Sequence, residues 1–76
     1  MPRISPIPYR RLVRLPELEG CALARQRGDH MVFTRPGIPR PIVVPRYDPL
    51  PIFIIKNVLR TAHISRERYF ELLERV

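Results

Sequence analysis

A histidine and two arginines lie close together in residues 25–30, which read Arg-Gln-Arg-Gly-Asp-His. An imidazole such as that of His30 suits proton transfer near neutral pH. The guanidinium groups of Arg25 and Arg27 keep their protons and can stabilise negative charge on a phosphate. RNA carries its own nucleophile, the ribose 2′-hydroxyl, so its cleavage without metal needs only groups that move protons and a group that stabilises charge. These residue types indicate chemistry on a phosphodiester.

A tight hairpin is predicted to bring these three side chains together. Gly28 and Asp29 form a two-residue loop of the kind that closes a hairpin, with glycine at positive φ. The loop sets a register that pairs Arg27 with His30, Arg25 with Val32 and Leu23 with Thr34. The opposite face is the more apolar and is predicted to face the core; it holds Ala22, Ala24, Gln26, Met31 and Phe33. Arg25, Arg27 and His30 are then expected on the solvent face.

The cluster offers one histidine, whereas general acid and base catalysis uses two groups. Tyr47, another protonated group or water is expected to supply the second proton transfer.

The charge balance indicates a polyanionic partner. The 14 basic and 7 acidic residues give a net charge of +7, and the pI is about 11.1. Lys56 is the only lysine, and arginine forks match phosphate oxygens better than ammonium groups do. A source that favours arginine codons would also raise the arginine content, so charge alone does not settle the partner.

Length and composition limit what the chain can be. Seventy-six residues allow one small domain, 1–76, in which 1–7 is expected to be a flexible or extended arm. No apolar run reaches the roughly 20 residues that span a bilayer, so no membrane association is expected. The single cysteine, Cys21, excludes an internal disulfide and favours a reducing compartment, so a cytoplasmic location is expected. No metal or other cofactor is expected, because a zinc ligand set is lacking.

Helical and extended segments alternate along the chain. Leucines at helical spacing predict a helix over about 8–19, kinked or split at Pro16 and stopped at Gly20. Strands are predicted over 21–27, 30–35 and 41–45, the last an edge strand between prolines after a Pro36-Gly37 turn of type II. A helix is predicted from about 52, although a strand start at 51–55 is an alternative. Ser65 is predicted to cap a final helix.

This order predicts an α+β domain of the form α-β-β-β-α-α. A three-stranded antiparallel sheet with its helices on one face buries these apolar faces economically in a short chain. His63 lies between an apolar helix and Ser65, so we interpret it as a structural residue at the helix end.

The chain resembles the HicA-type toxins, the small mRNA interferases of toxin–antitoxin pairs. Residues 25–30 are similar to the family's Arg-Gln-x-Gly-Ser-His signature, and Gly20 precedes Cys21 where the family has an aromatic residue. Residues 40–45 resemble the strand before the family's Pro-x-His loop, and 57–65 resemble its next helix and the following Ile-Ser. The resemblance extends from about Tyr9 to Leu73.

The resemblance implies a fold like a double-stranded-RNA-binding domain, ribonuclease activity on mRNA, and a HicB-type antitoxin partner. The family's catalytic histidine corresponds to His30. The residues predicted to bind RNA are Arg25, Arg27, Gly28, Asp29, Arg46 and Tyr47.

The chain departs from the family pattern at three positions. Asp29 stands in place of the serine, Tyr47 in place of the loop histidine, and His63 in place of the glycine often found before Ile-Ser. Two other functions remain open: a non-catalytic RNA-binding module on the same sheet, and an interaction protein whose basic face binds an acidic partner.

Overall fold

The computed structural model describes residues 3–76. Its elements are α1 (Tyr9–Leu12), α2 (Arg14–Leu18), β1 (Ala22–Arg27), β2 (His30–Thr34), β3 (Ile42–Pro45), α3 (Ile52–Ala62) and α4 (Arg66–Leu73). The strands form one antiparallel sheet in the order β1-β2-β3. The predicted α+β class and element order are confirmed, and the architecture is consistent with a double-stranded-RNA-binding-domain-like fold.

The β1–β2 hairpin has the predicted loop and most of the predicted register. Arg27 pairs with His30 and Arg25 pairs with Val32. Gly28 has φ +59, as a two-residue loop with glycine first requires. The predicted pairing of Leu23 with Thr34 is wrong, because a bulge between Leu23 and Arg25 shifts the register, and Leu23 pairs with Phe33. A bulge adds one residue to one strand, and no local sequence signal marks it here.

The predicted core face of the sheet is only half right. Phe33 is fully buried and Met31 is half-buried, but every residue of β1 is exposed, including the predicted core residues Ala22, Ala24 and Gln26. β1 lies at a sheet edge, and the alanine side chains are too short to contribute much apolar area to the core. Val32, predicted on the solvent face, is 8% exposed. The core therefore lies over β2 and β3.

The first helical segment is split at Val13, three residues before Pro16. α1 ends at Leu12 and α2 begins at Arg14, while Pro16 is buried within the first turn of α2. Pro16 has no N–H to donate to the Leu12 carbonyl, which explains a break before it rather than at it. In the first turn of α2 the missing donor is not needed.

Gly20 ends α2 as predicted. Its φ is +86, its N–H donates to the Glu17 carbonyl, and the Cys21 N–H donates to the Pro16 carbonyl at 2.9 Å. This pair of bonds around a left-handed residue is a Schellman motif.

The segment after β2 also follows the sequence pattern. Gly37 has φ +89, and the Ile38 N–H donates to the Arg35 carbonyl at 3.1 Å, as in the predicted type II turn. β3 is the second edge of the sheet. The alternative of a strand at 51–55 is wrong, because α3 begins at Ile52.

Hydrogen bonds hold the segment before α1 and cap the start of α4. Ile7, in the predicted N-terminal arm, is buried and pairs with Leu50 in an isolated bridge. Met1 and Pro2, which belong to the same predicted arm, lie outside the described residues. At the other end the Ser65 hydroxyl accepts a bond from the Arg68 N–H at 3.1 Å, which confirms the predicted cap of α4.

One buried polar group gives a stability prediction. Tyr69 is 1% exposed, its hydroxyl has no hydrogen-bond partner among residues 3–76, and burial raises its pKa. We expect Tyr69→Phe to raise the free energy of unfolding at pH 7 by up to about 1 kcal/mol, because an unsatisfied buried hydroxyl is costly. Urea unfolding measures this difference, with the exposed Tyr47→Phe as the matched control.

The same variant should change the alkaline stability. Because the pKa of Tyr69 is raised on folding, its neutral form is favoured in the folded state, and the unfolded chain ionises first near pH 10. The contribution of neutral Tyr69 to the free energy of unfolding is then fully present below about pH 10, and it decreases as the pH rises further. Tyr69→Phe should reduce this fall. A loss of more than about 1 kcal/mol at pH 7 would show instead that the hydroxyl is satisfied.

Candidate nucleic-acid interface

His30 begins β2 directly after the hairpin loop, and its imidazole is held by its neighbour. The Nδ1 atom of His30 lies 2.9 Å from Oδ1 of Asp29, and the two side chains are 48% and 65% exposed. A proton on Nδ1 donates to this carboxylate, which leaves Nε2 as the ring nitrogen with a free lone pair. This contact favours one orientation of the imidazole ring.

Arg25 and Arg27 lie on β1 next to this imidazole. Arg27 is the direct cross-strand partner of His30, and Arg25 is two residues further along the same strand. Directly opposed side chains have Cβ atoms about 5 Å apart, and diagonal neighbours are about 7–8 Å apart. Both arginines are exposed and have no acidic partner among the described residues. Two unpaired cations thus lie beside one imidazole.

The hairpin loop is open on one side at Gly28. A Cβ atom added there would meet no atom within 4 Å apart from those of the adjacent residues. The loop is also fixed from behind, because the Arg46 N–H donates to the Asp29 carbonyl at 2.6 Å. This bond joins the loop to the residue that follows β3, whose last residue, Pro45, pairs with His30.

Arg46 is brought to the hairpin, but its guanidinium is engaged by a residue that the sequence did not single out. Its Nε and Nη2 atoms donate to the Tyr9 hydroxyl at 3.2 and 3.1 Å. The guanidinium also lies 5.3 Å from the centre of the Tyr9 ring. The hydrogen bond from Arg46 lowers the pKa of Tyr9, assisted by the charges of Arg46 and Arg10. Tyr9 and Arg46 are 37 residues apart, so no local pattern could have paired them.

The loop that carries Tyr47 is held against α1. The Tyr9 N–H donates to the Tyr47 carbonyl at 3.1 Å, and Arg10 forms a salt bridge with Asp48 at 2.9 Å. The Tyr47 side chain is 45% exposed. The structure thus places Tyr47 two residues beyond Pro45, near the hairpin end of the sheet, with its phenol accessible to solvent.

Cys21 is a packing residue rather than a nucleophile. It is 6% exposed, and burial raises its pKa, so little thiolate is present near neutral pH. Within residues 3–76 no three histidine, cysteine, aspartate or glutamate side chains are grouped so that they could hold a metal ion. None of the helices in this part of the chain has the length and hydropathy to cross a bilayer.

Comparison with protein families matches residues 9–64 to the HicA toxin of bacterial toxin–antitoxin systems. The match covers more than half of the chain and includes the hairpin, β3 and α3. The chain belongs to the HicA toxin family. The searches of curated proteins and of solved structures gave no significant match.

Family membership identifies this HicA protein as a toxin of a toxin–antitoxin system, which has a cognate antitoxin. The family match also covers the hairpin residues described above. Within the matched region, His30 lies at an accessible hairpin beside two unpaired arginines. The matched region ends at Ile64, so α4 lies outside it.

Proposed function

We propose that this HicA protein is a metal-independent endoribonuclease that cleaves mRNA in the cytoplasm, with His30 as its catalytic residue. The observation that supports this function is the His30–Asp29 pair. Oδ1 of Asp29 lies 2.9 Å from Nδ1 of His30, and Arg27 is the cross-strand partner of His30. In this proposal Arg25 and Arg27 bind the phosphates of RNA. Gly28 lets the RNA approach the hairpin loop, and Tyr47 contacts the RNA next to this loop.

The proposed reaction uses the nucleophile within RNA. Nε2 of His30 takes the proton of a 2′-hydroxyl as its oxygen attacks the adjacent phosphorus. The bond from phosphorus to the 5′-oxygen breaks, and the products are a 2′,3′-cyclic phosphate and a 5′-hydroxyl. Arg25 and Arg27 stabilise the charge that develops on the phosphate oxygens. The leaving 5′-oxygen takes its proton from Tyr47 or from water.

Asp29 and Arg46 act mainly on the position of these groups. Asp29 holds the imidazole. Because a carboxylate repels the phosphates of RNA, Asp29 acts as an orienting group rather than as a direct RNA contact. Arg46 secures the loop through its backbone N–H. Its guanidinium, held by Tyr9, presents a positive charge at the same end of the sheet.

Cleavage of RNA by the purified protein in EDTA tests this function. The protein, freed of its antitoxin under denaturing conditions and refolded, should cut a single-stranded RNA in the presence of EDTA and leave 2′,3′-cyclic phosphate ends. Intact RNA under these conditions, with a folded protein, would contradict the proposal. A HicB-type antitoxin is the proposed partner, and its addition should stop the cleavage.

A second candidate function is RNA binding without cleavage. It is favoured by the single imidazole at the hairpin, since a complete acid and base pair needs a second group. The two functions share their binding residues but differ at His30.

The hairpin arginines should carry much of the RNA affinity under either function. We expect Arg25→Ala or Arg27→Ala to weaken binding of a single-stranded RNA by about tenfold at low salt. Each change should also lower the salt dependence of log K by about one unit of slope, because one phosphate contact is lost. Fluorescence anisotropy at several salt concentrations measures both quantities. Arg75→Ala removes the same charge far along the chain, and an equal loss in that control would show that net charge, rather than this surface, governs binding.

A further inference from the structure

A cationic pocket lies away from the hairpin, between the segment that leads into β3 and the end of α3. Its volume is about 240 Å³, and it is lined by Pro39, Arg40, Arg60, Thr61 and His63. Because β3 runs from Ile42 to Pro45, at about 3.3 Å per residue the hairpin end of the strand is at least about 10 Å from the end beside the pocket. The pocket is therefore separate from the His30 site.

The charges around this pocket are unbalanced. Three of its five lining residues carry basic groups, and none is acidic. Among the described residues, Arg40, Arg60 and His63 have no side-chain hydrogen bond or ion pair. Unpaired guanidinium groups on the wall of a pocket favour an anionic ligand.

His63, which lines this pocket, has a left-handed backbone conformation that is unfavourable for a residue with a Cβ atom. It has φ +57 and ψ +40, and it is the only non-glycine residue with positive φ among residues 3–76. The Ile64 N–H donates to the Leu59 carbonyl at 2.9 Å, and the His63 N–H donates to the Arg60 carbonyl at 3.3 Å. These bonds form the same Schellman motif that ends α2, where the left-handed residue is Gly20.

The two helix ends show that glycine satisfies this motif more easily than histidine does. A left-handed conformation is unfavourable for residues with a Cβ atom. A strained residue of this kind is a reason to look for a function of its side chain. The motif also satisfies the Leu59 and Arg60 carbonyls internally, which reduces the negative potential that a helix C-terminus would otherwise present to an anion.

We propose that this pocket is a second phosphate-binding site for the RNA substrate, with Arg40, Arg60 and His63 as its ligands. The inference rests on the proposed function and adds to it a contact remote from the scissile bond. RNA held at both sites is fixed at two points along its backbone, which positions the strand for attack at His30. The phosphate comes from an internal position of the strand or from its 5′ end.

Binding of an RNA that cannot be cut tests the inference. A short 2′-O-methyl oligonucleotide lacks the nucleophilic hydroxyl, so affinity can be measured by fluorescence anisotropy on the intact protein. We expect Arg60→Gln to weaken binding by about tenfold and to lower the salt slope by about one. Arg75→Gln, which removes the same charge outside the pocket, should have less effect.

His63→Gly separates a binding role from a structural role. Glycine suits the left-handed position, so this variant should have a melting temperature equal to or higher than that of the parent. The proposal predicts that it nevertheless binds the oligonucleotide about fivefold more weakly. A purely structural histidine would leave the affinity unchanged.

The outcomes distinguish this inference from the proposed function. If Arg60→Gln and His63→Gly bind like Arg75→Gln while Arg25→Ala binds more weakly, the pocket is not an RNA site and the function proposed for the hairpin stands. If the parent protein does not bind RNA, both proposals are wrong. Where the pocket variants do weaken binding, oligonucleotides with a 5′-phosphate and with a 5′-hydroxyl identify the bound phosphate. A loss of affinity only for the oligonucleotide with a 5′-phosphate indicates the 5′ end. An equal loss of affinity for both indicates an internal phosphate.

Discussion

His30→Ala is expected to slow RNA cleavage by about 10²- to 10⁴-fold, the range that one general acid or base contributes. The side chain is about half exposed, so its removal leaves no cavity in the core. RNA affinity should change little, because the unpaired arginines beside it remain. A large loss of cleavage with retained binding is the result that separates the proposed ribonuclease from a passive RNA-binding module.

The measurement compares initial cleavage rates in EDTA at saturating protein, together with anisotropy on an uncut RNA. Thr34→Ala, an exposed change at the other end of β2, is the matched control and should cut at the parent's rate. Asp29→Asn should reduce the rate less than His30→Ala does, because it weakens the hold on Nδ1 without removing the imidazole. Equal cleavage by His30→Ala and the parent would assign the activity to another residue or to a contaminant.

Phe33→Ala is expected to reduce the free energy of unfolding by about 3–5 kcal/mol. Phe33 is fully buried in the central strand, next to Leu23 on one side and Ile42 on the other. A domain this small has a free energy of unfolding near the lower end of the range of about 5–15 kcal/mol. One substitution therefore removes much of the stability.

Urea unfolding followed by circular dichroism measures this loss, with Val43→Ala as the control because Val43 is 43% exposed. The variant should lose cleavage and RNA binding together, since β2 also carries His30. This result differs from that of His30→Ala, which affects cleavage alone. A loss below about 1 kcal/mol would show that the core repacks around the missing ring.

The hairpin shows how far local sequence can define a site. The two-residue loop and its glycine are sufficient to pair Arg27 with His30, because a short loop allows very few registers. Four residues further from the loop the prediction fails at Leu23, where the bulge intervenes. Short-range geometry was thus predictable, and the irregularity along the edge strand was not.

Solvent exposure was less predictable than pairing. Alternation correctly separates Phe33 from His30, but it also assigns Ala22, Ala24 and Gln26 to a core that does not cover them. Whether one face of a strand is buried depends on how far the helix layer extends over the sheet. That extent depends on the packing of the helices rather than on the pattern of the strand.

The role of Asp29 changed most between sequence and structure. By type alone it is a departure from the family's serine and a carboxylate in a basic surface. In the structure its Oδ1 atom lies 2.9 Å from Nδ1 of His30, and we propose that it orients the imidazole. Side-chain geometry within a turn determines this role, and the order of residues does not.

The sequence by itself determined the hairpin, its cluster of Arg25, Arg27 and His30, the caps at Gly20 and Ser65, and the α+β order, because each depends on interactions within a few residues. Only the tertiary structure decided that Tyr9 holds Arg46 and that Arg40 meets Arg60 and His63 at one pocket. These groups are brought together by packing of the helices against the sheet, and such long-range contacts leave no periodic signal in the chain.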